Sequence, residues 1–73
     1  MDDAREREHL AQADRHIAET KDRIARQKEV IAELERGLHE TDLAVSMLRT
    51  LEQSLRAFEL HRELILDRLQ DTK

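Results

Sequence analysis

Histidines are the side chains in this sequence best suited to chemistry, because imidazole binds divalent metals and changes its charge near neutral pH. His9 and His16 are seven residues apart and share one helix face, and His61 reaches the level of His16 if the chain folds back on itself. With Asp14 they could hold a metal or sense pH. Glu6 and His9 form one Glu-x-x-His pair, but di-iron bundles need that motif on two helices and further carboxylates. The sequence therefore predicts ordinary surface or seam-flanking histidines, with no metal site and no cofactor.

No side chain is arranged as a catalytic nucleophile. Ser46 and Ser54 lack the glycine elbow that exposes a nucleophilic serine, and the single glycine, Gly37, cannot form a phosphate-binding loop. A pair of helices also offers no large concave pocket. We therefore predict that the protein is not an enzyme and has no small-molecule substrate.

Charge and composition narrow the class further. The 73 residues include 13 basic and 17 acidic side chains, with the two signs interspersed, and no cysteine. Nucleic-acid binding depends on clustered cations, so it is disfavoured. The longest strongly apolar run, residues 64–66, is far too short to cross a bilayer, and residues 1–6 lack the apolar core of a signal peptide. We expect a cytoplasmic protein that does not bind membranes and has no disulfide bonds.

A seven-residue repeat is the strongest structural signal. Leu or Ile recurs every seven residues from position 10 to position 31, and the residues three positions later complete the 3-4 spacing of a helix that packs on helices. This pattern predicts a first helix over about residues 3–36, and a second 3-4 pattern predicts another over about residues 42–70. The predicted core consists of Leu10, Ile17, Ile24, Ile31, Leu34, Leu48, Leu51, Leu55, Phe58, Ile65 and Leu69.

Gly37 and the residues after it predict a turn at residues 37–41. Glycine just past a helix end adopts the left-handed conformation at no steric cost. Thr41 or Asp42 then supplies an N-cap oxygen for the second helix. The alternative is one uninterrupted helix of about 100 Å, since a single glycine costs a helix only about 1 kcal/mol. The coincidence of stop and start signals favours an all-α antiparallel hairpin that forms one domain over residues 1–73.

Folding the second helix back with the turn near His39 gives a self-consistent register. Phe58 then lies level with Thr20, and Ile65 lies level with Ala13. Large side chains therefore face small ones, as a tightly packed core requires.

Arg62 is the one charged residue at a core position of the second helix. An unpaired buried charge is costly, but the long arginine stem can carry the guanidinium to the surface. In the predicted register Arg62 lies level with Ile17, and the nearest acid at that level is Asp14.

A lone hairpin leaves the outer half of each apolar seam in water, and the usual solution pairs two hairpins into a two-fold four-helix bundle. Small residues support this assembly, since they let a neighbouring backbone approach closely. The second helix has a run of them between Met47 and Leu64. Alanine is also simply the best helix former. The predicted close-packing face consists of Ala11, Ala18, Ala25 and Ala32.

The segments 23–27 and 31–36 and the turn around Gly37 resemble small uncharacterised helical-hairpin proteins of alpha-proteobacteria, especially the rhizobial type. The same pattern continues in the second helix at Leu48, Leu51, Glu52, Leu55, His61, Arg62, Ile65 and Leu69. The resemblance covers about residues 15–70. It implies the same fold and a cytoplasmic location, and it implies no activity. The chain departs from that pattern where Leu38 stands directly after the glycine.

These observations predict a non-enzymatic helical assembly or protein-interaction module, with a second copy of the chain or another protein as its partner. The alternative is an RNA-binding or regulatory four-helix bundle that resembles the plasmid regulator Rop in architecture. Such a protein would use Arg15, Lys21, Arg23 and Arg26 on one exposed face. The acids between them argue against that alternative.

Overall fold

Two helices packed side by side make up the part of the chain that the computed structural model describes, residues 3–70. Helix α1 spans Asp3–Arg36 and helix α2 spans Asp42–Gln70. The two are antiparallel, and the Cα atoms extend over 57 × 14 × 12 Å. Residues 3–70 contain no strand. The observed bounds coincide with those predicted from the sequence, and the hairpin rather than one continuous helix is confirmed.

Charged residues at the helix ends complement the helix dipoles. Asp3 and Glu6 lie in the first turn of α1 and Arg36 in its last, while Asp42 and Arg68 occupy the corresponding turns of α2. Carboxylates favour the positive end of the helix dipole and cations the negative end. Both helices are therefore stabilised locally before any packing between them.

Leu38, and not Gly37, makes the left-handed turn at the end of α1. Leu38 has a φ of 60°, whereas Gly37 does not have a positive φ. The Leu38 N–H donates to the Glu35 carbonyl at 3.1 Å and the His39 N–H donates to the Leu34 carbonyl at 2.9 Å, which is the Schellman pattern. The prediction that Gly37 is the left-handed residue is therefore wrong.

The helical hydrogen bonding of α1 explains why the left-handed residue comes one position later than predicted. The Gly37 N–H still donates to the Glu33 carbonyl at 3.1 Å, the ordinary helical bond. After the turn, the Thr41 carbonyl accepts the first bond of α2 from the Val45 N–H at 2.8 Å. Thr41 therefore stands at the N-cap position, one of the two residues predicted for it.

Leu38→Gly should raise the free energy of unfolding by about 0.5–1 kcal/mol. A left-handed backbone costs a residue with a Cβ about 1–2 kcal/mol, and the greater flexibility of unfolded glycine offsets part of that gain. The Leu38 side chain is 94% exposed, so its removal loses little packing. Urea unfolding followed by circular dichroism at one fixed protein concentration measures the change. Leu38→Ala is the control, because it keeps the Cβ; an equal gain in both variants would contradict strain at this residue.

The interface between the helices contains the residues with the least exposure to solvent. Ile65 is 0% exposed and Ile24 is 9% exposed, and Ala13, Thr20 and Ala44 are also buried. The other predicted core residues lie in the same seam and are only half-buried, because each helix has a single neighbour. They are Leu10, Ile17, Ile31, Leu34, Leu48, Leu51, Leu55, Phe58 and Leu69.

Two polar side chains in the seam of α1 bond to backbone carbonyls. The buried Thr20 Oγ1 donates to the His16 carbonyl of its own helix at 2.7 Å. Gln27 Nε2 donates across the interface to the Ala44 carbonyl at 2.9 Å. A buried donor without an acceptor would be destabilising, so these bonds make the two polar residues tolerable in the seam.

The predicted register is wrong by about one helical turn. Phe58 packs its ring against His16, with ring centroids 5.2 Å apart, instead of lying level with Thr20. Arg68 Nε also lies 3.5 Å from Glu6 Oε2, nearer the start of α1 than predicted. Because α2 is displaced toward the start of α1, the residues that connect the helices run back alongside the last turn of α1 before α2 begins at Asp42.

Candidate interaction surface

Three histidines lie together on one side of the hairpin. His9, His16 and His61 line an open groove of about 380 Å³ with Gln12, Ala13 and Arg68. Glu6 pairs with two of the lining residues, with Oε1 at 3.7 Å from His9 Nδ1 and Oε2 at 3.5 Å from Arg68 Nε. Within residues 3–70, no group of three or more histidine and acidic side chains is arranged to hold a metal ion. His16 and His61 thus line the same groove, although His16 lies level with Phe58, about one turn from His61.

Asp14 lies on the opposite side, paired with Arg62. Arg62 Nε donates to Asp14 Oδ1 at 2.6 Å, and the two side chains are 40% and 53% exposed. Sequence reasoning identified this acid as the nearest partner of Arg62, and that prediction is confirmed. Asp14 therefore belongs to an interhelical ion pair and does not join the histidines.

A double-mutant cycle on Asp14→Asn and Arg62→Gln should give a coupling energy below about 1 kcal/mol. Both side chains are largely solvated, so water and salt screen their attraction. Urea unfolding of the four proteins measures the coupling, and added salt should reduce it. Arg56→Gln combined with Asp14→Asn is the matched control, since Arg56 is exposed two turns from Arg62 and should show no coupling. A coupling of several kcal/mol would contradict this solvated geometry.

The basic residues of α1 do not form one face, contrary to the alternative that uses them for RNA. Lys21 lines a groove with Asp14, Ile17, Glu59, Arg62 and Glu63. Arg23 and Arg26 line a different groove, against Met47 of α2. Glu19, Asp22 and Glu29 also lie among these arginines. The cations are thus divided between two sides and mixed with acids.

The hairpin therefore has two long sides, which differ in character. On one side, which we call the stripe side after a pattern in α2 described below, Arg23 and Arg26 line a groove with Met47 and Thr50. The histidine groove lies further along the same side. The alanine side is the one where Lys21 meets Glu59. The alanines belong to that second side because they alternate with Asp14, Lys21, Lys28 and Glu35 at 3-4 spacing.

Exposed large apolar side chains gather on the stripe side. On α2 they are Leu43, Met47 and Leu64, at exposures from 50% to 76%. On α1, Val30 is exposed at a position seven residues after Arg23 and so on the same helix face. Leu38 in the turn and Leu60, which lies one position before the stripe residue His61, are the remaining large apolar residues that are exposed within residues 3–70. Exposed apolar residues on one side make that side a candidate interaction surface.

These α2 residues belong to a second 3-4 pattern, one position before the main seam. We call it the α2 stripe: Leu43, Met47, Thr50, Ser54, Ala57, His61 and Leu64. Sequence reasoning identified this stripe from Met47 to Leu64 but missed Leu43, and it also missed the exposed Val30 of α1. The signal that could have found Leu43 is the same 3-4 spacing, continued back to the start of α2.

The predicted alanine face is open to solvent along most of its length. Ala11, Ala18 and Ala25 are exposed and Ala32 is half-buried. These residues therefore lie outside the seam between α1 and α2, and their close packing against another chain stays a prediction.

Neither helix within residues 3–70 is long and apolar enough to cross a membrane. Comparison with protein-family models, curated proteins and solved structures finds no match for this chain.

Proposed function

We propose that the protein is a non-enzymatic assembly module whose hairpin associates with a second copy to form a four-helix bundle. The observation that carries this proposal is the incomplete core: nine of the eleven predicted core residues stay half-buried beside a single neighbouring helix. Full burial of a large aliphatic side chain contributes roughly 1.5–3 kcal/mol. Association of two hairpins would supply much of the burial that a single hairpin lacks.

A second copy suits this surface better than nucleic acid does. The formal net charge is -4, and the exposed arginines of α1 have acidic neighbours. Phosphate backbones favour clustered cations, whereas an apolar patch with mixed charges around it is typical of a protein interface.

Sedimentation equilibrium tests the proposal directly. We expect a species of twice the chain mass of 8.6 kDa at micromolar concentration. The Tm should fall on dilution, because dissociation then accompanies unfolding. A fully helical 8.6 kDa monomer with a concentration-independent Tm would refute the proposal.

A further inference from the structure

The two long sides of the hairpin offer a partner very different surfaces. The stripe side exposes Leu43, Met47 and Leu64, each at least 50% accessible. The alanine side exposes single methyl groups, and its groove is lined mostly by charged residues such as Lys21 and Glu59. Burial of apolar area drives association, so the stripe side has more to gain from a partner.

The α2 stripe has a two-fold pattern of side-chain sizes. Large apolar residues stand at both ends, Leu43 and Leu64, and small residues stand in the middle, with Thr50 and Ala57 on either side of Ser54. Reversing the stripe about Ser54 exchanges Leu43 with Leu64, Thr50 with Ala57 and Met47 with His61, so the leucine ends and the small middle are kept and Met47 faces an imidazole. Two helices that cross at a two-fold axis are closest at the axis and lie further apart toward their ends, so small residues around Ser54 and leucines at the ends suit such an interface.

The contacts between the helices locate this centre on α1. Ser54 is one turn before Phe58 on α2, and Thr20 is one turn after His16 on the antiparallel α1. The Phe58–His16 contact therefore places Ser54 level with Thr20. In the same way, Ser54 is about two turns before Arg62 and Asp22 is about two turns after Asp14, so the Asp14–Arg62 pair places Ser54 level with Asp22. The centre of the α2 stripe therefore lies beside residue 21 of α1.

Charges on α1 are complementary about that same centre. Glu19 and Arg23 lie two residues to either side of position 21, and Arg23 lines the groove on the stripe side. If two copies of α1 run antiparallel about this point, Glu19 of each meets Arg23 of the other. Apolar size on α2 and charge on α1 thus indicate one common two-fold axis.

We infer that the stripe side is the interface with a second copy of this chain, with the two-fold axis passing beside Ser54 and between Glu19 and Arg23. In this arrangement α2 packs antiparallel on α2 of the partner and α1 on α1 of the partner. The small residues around Ser54 allow the two α2 helices to approach closely, and the leucines at the ends pack over each other. The inference rests on the proposed self-association and adds which side is used.

The dimensions of the side fit such an interface. A face of 57 × 14 Å between Cα atoms is large enough for the roughly 800 Å² per partner that a standard stable interface buries. The opposite arrangement, through the alanine side, would bring Lys21 onto its own copy and bury less apolar area.

Single engineered cysteines separate the two arrangements, since the chain has no cysteine of its own. Ser54→Cys places a thiol beside the proposed axis, where its own copy lies opposite. Lys21→Cys is the matched control at the same level on the alanine side. Under mild oxidation at micromolar concentration, we expect Ser54→Cys to form disulfide-linked dimer at least about tenfold faster, because assembly holds its thiols at high effective concentration.

The outcomes distinguish this inference from the proposed function. Faster cross-linking of Lys21→Cys, or equal slow cross-linking of both variants while sedimentation still shows a dimer, would overturn the stripe-side interface and leave self-association standing. A monomer by sedimentation would refute both.

Charge reversal supplies an independent test. Glu19→Arg and Arg23→Glu should each weaken self-association by about three- to tenfold, since each places like charges across the axis twice. Glu19 and Arg23 are also one turn apart within a helix, so the decisive sample is an equimolar mixture of the two variants. The mixture restores opposite charges between chains but not within them, and it should regain wild-type affinity as a heterodimer. A mixture no tighter than the separate variants would refute the predicted contact.

Discussion

Ile65→Ala should lower the free energy of unfolding by about 2–5 kcal/mol, the range for truncating a fully buried aliphatic side chain. Ile65 is 0% exposed, more buried than any other core residue of α2, so solvent cannot reach the cavity that the change would leave. For a chain of this size the loss corresponds to a fall in Tm of roughly 8–40 °C. Thermal and urea unfolding followed by circular dichroism measure both quantities at one protein concentration.

A graded substitution controls this prediction. Ile65→Val removes a single methylene from the same site and should cost about 0.5–1.5 kcal/mol. If Ile65→Ala cost no more than Ile65→Val, the side chain would not be packed between the two helices as the structure describes.

Ile24→Asp should destabilise the hairpin by at least about 3 kcal/mol, because it replaces a buried aliphatic side chain with an unpaired carboxylate. Ile24 is 9% exposed and lies among the buried residues of α1. We expect loss of most of the helical signal at 25 °C, or a transition at much lower urea concentration.

Ala25→Asp is the matched control for that variant. It introduces the same charge at the neighbouring position of the same helix, where the side chain is exposed. Its expected cost is only the difference in helix propensity, about 0.7 kcal/mol. A large loss at Ala25 would instead indicate that another chain covers the alanine side, contrary to the interface inferred above.

Local sequence signals were enough to predict the helices. The 3-4 spacing of aliphatic residues and the change of pattern after Gly37 predicted bounds that agree with Asp3–Arg36 and Asp42–Gln70. Both signals depend on residues within a few positions of one another. For that reason the predicted helix bounds do not depend on how the two helices dock.

The residue at the turn was harder to predict, for a stereochemical reason. Glycine is favoured in the left-handed conformation, so the rule pointed to Gly37. The structure puts that conformation at Leu38, because Gly37 still makes the helical bond to Glu33. Propensity is a preference of about 1 kcal/mol, and the bonding of neighbouring backbone groups can outweigh it.

The docking register and the partner side were not determined by the sequence alone. A heptad pattern matches itself again after a shift of about one turn, so apolar spacing does not distinguish Phe58 opposite Thr20 from Phe58 opposite His16. Specific contacts decide between them, such as Arg68 Nε at 3.5 Å from Glu6 Oε2 and the bond from Gln27 Nε2 to the Ala44 carbonyl at 2.9 Å. Those contacts join residues that are far apart in the chain.

The sequence by itself determined two amphipathic helices and the break between them, because helical periodicity and capping are local properties of the chain. Only the tertiary structure decided the register, the left-handed residue of the turn, and which apolar residues stay uncovered. Each of these depends on the distance between α1 and α2 at every point along their length. That distance is set by the sum of all side-chain contacts across the seam, which no local pattern contains.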